Sequence, residues 1–262
     1  MSKYIKMYLR IFGLSLMSEM THRENFWTWV AIHTVSLASL VMFFKVIFAA
    51  TTNINGWTEF QSLLVLGVGT LIGGLGSLTF FSFMYQFGRE IQNGDFDLKL
   101  TKPIDIHYLS AFSYVDVEDF IVVPNSILLI IYALWKLNPS HILLNITGFL
   151  VMLLSSLVIL FSLLTLVQSL AFKLIRVDSI SNFYWSIVNI AKYPAKAIRG
   201  ISIAASVLLI PIAIISSIPA EVLFGRWEWT WIVGSIIAAV GLFFLSRRVF
   251  MSSLRHYSSA SS

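Results

Sequence analysis

Cysteine is absent from the 262-residue chain, which excludes a disulfide framework and any thiolate metal site. Charge is scarce, at 12% of residues, against about 25% in ordinary soluble domains. No Gly-Lys dipeptide occurs, so the chain has no P-loop and cannot be a P-loop ATPase. No H-E-x-x-H zinc motif is present, and no Ser, His and Asp constellation can be defended from spacing. An intramembrane enzyme or a proton-coupled carrier needs paired acids or histidines inside its spans. Those interiors are nearly free of charge. His33 is mid-span without an acidic neighbour on its own helix and reads as a packed neutral histidine. Enzyme is therefore a weak reading.

What the chain does have is apolar length. Hydrophobic residues make up 57% of it, and the mean hydropathy is +0.82. A spanning helix needs about 20 mostly apolar residues, and six stretches qualify, near 26–49, 60–87, 117–135, 141–172, 201–218 and 229–246. The first 20 residues lack an Ala-x-Ala-like cleavage site, so no removable signal peptide is expected. At about 100° per residue, Lys3, Lys6 and Arg10 share one arc, with Ile5, Leu9, Phe12 and Leu16 opposite. Residues 1–25 therefore read as an amphipathic helix lying in the membrane interface, residues 26–250 as the spanning domain, and residues 251–262 as a disordered tail.

The second span carries GVGTLIGGLG, and Gly69, Gly73 and Gly76 offer a small-residue face for close helix packing or a subunit interface. Gln168, near the end of the fourth span, is positioned to bond a neighbouring helix. Asp116, Glu118 and Asp119 gather just before the third span and read as a solvated helix start, with no histidine at ligand spacing.

Two polar islands interrupt the apolar runs. In the first, residues 86–104, Gly94 permits a turn and Pro103 disfavours helix at Lys102. The reading there is helix end, turn, short extended piece and new helix, with Asp105 capping a helix from Ile106. The second, 173–200, mixes Lys173, Arg176 and Asp178 with Phe183, Tyr184 and Trp185, as an interface-lying segment does. Lys and Arg in alternate loops stand at 15 against 2 in the six-span arrangement. That positive-inside pattern places both termini and both islands in the cytoplasm and leaves no reason to invoke nucleic acid.

Glu90, Gly94, Asp97, Leu100 and Pro103 follow the order E-x-x-x-G-x-x-D-x-x-L-x-x-P. Tyr193-Pro194, Pro211 and Pro219-Ala220 recur around the fifth span. With the overall layout, these make the chain resemble the permeases of ABC-2 type transporters. The resemblance implies an all-α integral membrane protein: six transmembrane helices, an interfacial N-terminal helix, two cytoplasmic coupling segments and a short re-entrant-like segment before the last span. It also implies a bacterial inner-membrane exporter subunit whose ATP and Mg sit on a separate ABC ATPase dimer, with a second permease subunit, the same or different, beside it. No cofactor would be bound by this chain directly. Arg89, Glu90, Gly94, Asp97, Pro103 and Asp105 would then couple to the ATPase, and Arg176, Asp178, Tyr193 and Pro194 would form a smaller second contact. A pathway nearly free of charge suggests a lipid-like or amphipathic substrate. The alternative is a non-transporting membrane scaffold or assembly factor that uses the same loops to recruit a cytoplasmic partner.

Overall fold

The computed structural model describes residues 2–21, 23–172, 186, 188–194 and 213–257, and every described element is helical or loop apart from one isolated bridge. Helix α1 (Ser2–Thr21) is followed almost directly by α2 (Arg23–Ala50). Helix α3 (Glu59–Gly76) runs through a π-turn at Ser77–Phe81 into α4 (Ser82–Asn93). Two short helices come next, α5 (Phe96–Leu100) and α6 (Ile106–Ala111). A 3-10 turn at Val117–Ile121 opens α7 (Val122–Leu137), and α8 (Ile142–Gln168) ends in a second 3-10 turn. A π-turn at Ala213–Ser217 leads into the short α9 (Ile218–Leu223), and α10 (Trp229–Leu254) closes the described chain.

Among the described residues, five stretches are long and apolar enough to cross a membrane: 24–50, 59–93, 117–137, 142–172 and 229–254. The expected span at 201–218, with Pro211, lies outside the described residues except for its last turn. Packing separates the five. Helix α3 is the buried centre, holding Leu63, Leu64, Leu66 and Ile72 away from all exposure, with α7 on one side. Helix α8 packs chiefly on α10, and α9 wedges against α8 with all six of its residues buried. Helix α2 lies at the edge and exposes Trp27, Ile32, Val35, Met42 and Phe43, an apolar face suited to acyl chains rather than water.

Local chemistry explains several boundaries. The Thr58 N–H donates to the Gln61 side chain at 3.1 Å, half of a capping box that starts α3. Gly94 takes φ +79° to end α4, a conformation that would strain a side-chain-bearing residue. The chain then re-enters helix at Phe96 rather than extending. The expected extended piece is a correction: Phe96 is fully buried among Phe87, Phe172 and Tyr257, and that anchorage winds the segment. The tail is corrected too. Helix α10 continues to Leu254, and Tyr257 packs on Phe96 and Phe172, so residues 251–257 belong to the folded body.

Candidate functional site

Two features gather the polar side chains: the α4–α6 segment and a cavity beside it. Helix α4 brings Glu90 inward and α5 brings Lys99 to meet it, Nζ to Oε1 at 2.7 Å, both side chains about nine-tenths buried. Glu90 thus pairs inward with Lys99, while its neighbours Arg89 and Lys102 are exposed. Burial pulls the Lys99 ammonium below the ordinary lysine value, and Glu90 works against that pull. Arg89, Leu98, Leu100, Lys102 and Pro103 stay exposed. Asp97 turns toward the Tyr257 hydroxyl.

Asp105 does two jobs. Its side chain accepts from the Tyr108 N–H at 3.0 Å, capping α6, and it forms a two-pronged contact with Arg247 of α10, the closer prong at 2.5 Å. Burial opposes its charge, but the guanidinium and the capping N–H hold its carboxyl below the usual carboxylate range. Next to it, His107 meets the Thr165 hydroxyl at 3.1 Å. Burial, then Arg247, pushes that imidazole down to about 4, so it is neutral near pH 7. Helix α1 is strapped to the same end: Tyr108 donates to the Tyr4 carbonyl and Tyr8 to the Leu78 carbonyl of the π-turn. The expected bond from Gln168 is present, donated to the Met84 carbonyl at 2.9 Å.

The cavity, of about 400 Å³, lies between α2, the α3–α4 helix and the start of α7. One end carries His33, Asp116, Glu118 and Asp119, and the lining also includes Trp29, Phe81, Tyr85 and Lys192, the last beside Gly69. His33 approaches Asp119 to 2.8 Å. Sequence spacing missed this pair, because the partner of His33 comes from another helix. A second, mostly apolar cavity of about 440 Å³ runs on between α2 and α7 toward Lys45, and both are lined by Leu37 and Asn125. Asn125 donates to Thr34 at 3.0 Å near their junction. The π-turn adds Ser77 and Phe81 to the lining, in line with the tendency of such turns to mark functional positions.

Asp116 is half-buried rather than solvated as the sequence suggested. Burial, then the nearby Asp119 and Glu19 carboxylates, raises it from 3.8 to about 6. The folded chain therefore binds this proton more tightly than the unfolded one, and stability falls as pH rises toward and through about 6. Asp116→Asn removes that loss. Thermal unfolding should show the variant more stable than the parent by roughly a few degrees near pH 8, with the gap closing in mild acid.

Of the other expected site residues, Tyr193 stacks on Phe44 of α2 at 5.8 Å and Pro194 is buried, while Arg176 and Asp178 lie outside the described residues. Gly69, Gly73 and Gly76 face inward: a Cβ on Gly69 would meet the Ala191 carbonyl at 2.8 Å, and one on Gly76 the Phe81 ring at 2.6 Å. Among the described residues no cluster of His, Asp and Glu is arranged to hold a metal ion.

A family model described as "ABC-2 family transporter protein" matches residues 34–261. Neither a curated protein nor a solved structure matches the chain.

Proposed function

The chain belongs to the ABC-2 family of transporter proteins, whose members are membrane permease components, and from that membership we infer that it forms the translocation pathway of an ATP-driven exporter. ATP and Mg are handled by a separate ABC ATPase dimer, docked on the cytoplasmic face of the bacterial inner membrane. A second permease subunit completes the pathway. The observation that carries this reading is the family match across both polar islands and the spans around them.

The geometry supports a division of labour at the first island. Arg89, Leu98, Lys102 and Pro103 present an outer surface for the ATPase. Glu90 ties α5 to α4 through Lys99, and Asp105 and His107 tie the segment to Arg247 of α10 and Thr165 of α8. A push on the outer surface then moves two spanning helices as a body, because packed interfaces shift between discrete arrangements rather than bending smoothly. In this arrangement Glu90 anchors the segment from inside, and its neighbours make the contact.

The absence of cysteine makes the test clean, since any introduced thiol is the only one in the chain. A cysteine at Leu98, which is 66% exposed, carrying a short photo-crosslinker in native membranes should yield an adduct with a Walker-motif ATPase. The same label at Leu143, exposed at the far end of α8, should not. Equal capture from both positions, or none from Leu98, would rule out this docking surface.

A further inference from the structure

The two cavities adjoin at Leu37 and Asn125, the lining changes from acidic in the first to apolar in the second, and that change selects an occupant. Between His33 and Lys45, α2 advances about 18 Å at the helical rise, comparable to a medium-length alkyl chain. One end offers carboxylates and aromatic faces, while the other is walled by Val41, Met42, Leu128 and Leu129 and finishes at Lys45. The apolar half does not suit a hydrophilic solute, because it would strip the solute's hydration without replacing it.

We propose that this groove binds a single-chain amphiphile with a protonated amine head, the head among Asp116, Glu118 and Asp119 and the tail between α2 and α7. Only the onward transport of the bound amphiphile rests on the permease reading; the binding itself needs no partner. Charge complementarity sets both the class and the orientation. Among the described lining residues of the head chamber, three carboxylates stand together, Asp119 already 2.8 Å from His33, while Lys192 lies farther along beside Gly69 with its ammonium 2.9 Å from the Asn189 side-chain oxygen. Trp29, Phe81 and Tyr85 also line this chamber, and aromatic rings attract a cation. A cationic head at the opposite end would face Lys45, so the reverse orientation is disfavoured. The carboxylates are also costly where they stand: burial and mutual repulsion bring Asp116 to about 6. An incoming ammonium offsets that cost. By the 15-to-2 charge bias between alternate loops, the head chamber faces the cytoplasmic leaflet, from which an amphiphile enters sideways between the helices.

The test uses the full chain in nanodiscs of zwitterionic phosphatidylcholine, with neither ATP nor partner. The probes are dodecylamine, dodecanol and dodecanoate, each with a diazirine on the alkyl chain, and adducts are mapped by mass spectrometry. The amine should label the α2 and α7 walls, Met42 and Leu128 among them, about tenfold more than the alcohol does, as expected for charge-assisted hydrogen bonds. Unlabelled dodecylamine should compete, and dodecanol should not. Glu118→Gln with Asp119→Asn should bring amine labelling down to the alcohol level while alcohol labelling stays unchanged, which also reports an intact groove. Equal labelling by amine and alcohol, preference for dodecanoate, or adducts spread evenly to the outer faces of α8 and α10 would overturn the proposal. Selective labelling in a chain that brings down no ATPase keeps the groove and sinks the permease reading; an ATPase partner without selective labelling does the reverse.

Discussion

Glu90→Ala is expected to destabilise the chain by about 3–5 kcal/mol, the range for breaking a buried ion pair from one side. The Glu90 side chain is 7% exposed and the Lys99 side chain 10%, so the lysine left behind loses its ion-pair partner without ready access to water. The ring of Tyr114, 5.3 Å from Nζ, gives it a weak substitute at best. Thermal unfolding of the purified chain reads the loss. A second variant separates charge from shape. Glu90→Leu with Lys99→Met replaces both partners by apolar groups of similar length and should recover most of the lost stability, because the desolvation cost disappears with the charges. If the double variant is as unstable as Glu90→Ala, the pair is not what holds α4 to α5. If it is stable yet no longer responds to the ATPase, the pair itself carries the coupling.

Gly69→Val is expected to have the second large effect, and Gly73→Ala almost none. At Gly69 the new Cβ would sit 2.8 Å from the Ala191 carbonyl oxygen and 3.1 Å from the Lys192 Cα, both main-chain atoms that cannot rotate aside. Overpacking of this kind costs about 1–3 kcal/mol, and valine adds two methyl groups to the first clash. At Gly73 the nearest atom is a Val188 methyl at 3.7 Å, ordinary contact. There alanine also regains up to about 1 kcal/mol of helix propensity. Expression level and unfolding temperature of the two variants, measured side by side, check the contrast. Similar behaviour of both would mean that residues 188–192 do not lie against α3 as described.

The same glycines show what a sequence makes legible. Their spacing marked a packing face, and spacing is a local property. Which surface they meet is tertiary, so the partner at 188–192 was invisible. The apolar stretches matching the five described helices of spanning length, the Asp105 cap and the turn at Gly94 were readable for the same local reason: each depends on residues within a few positions. The π-turn at 77–81 left no such mark. The buried partners were not readable either. Glu90 finds Lys99 only because Phe96 pins α5 beneath the aromatic cluster. Asp105 reaches an arginine 142 positions away, and His33 meets an acid from another spanning helix. A histidine in one apolar run and an isolated acidic cluster before another were the available signal, and in the sequence they read as two unrelated features. The groove is legible only in three dimensions, because its gradient is assembled from α2, α3, α4 and the start of α7.

If the chain is the membrane half of an ATP-driven machine, its motor should travel with it. The decisive experiment is to purify the tagged chain from its own membranes under native conditions and to identify by mass spectrometry what stays bound. A Walker-motif ATPase is expected in near-stoichiometric amount, with a second multi-span protein if the permease pair is mixed. Recovery of the chain alone, or with partners that carry no nucleotide-binding motif, would contradict the permease reading.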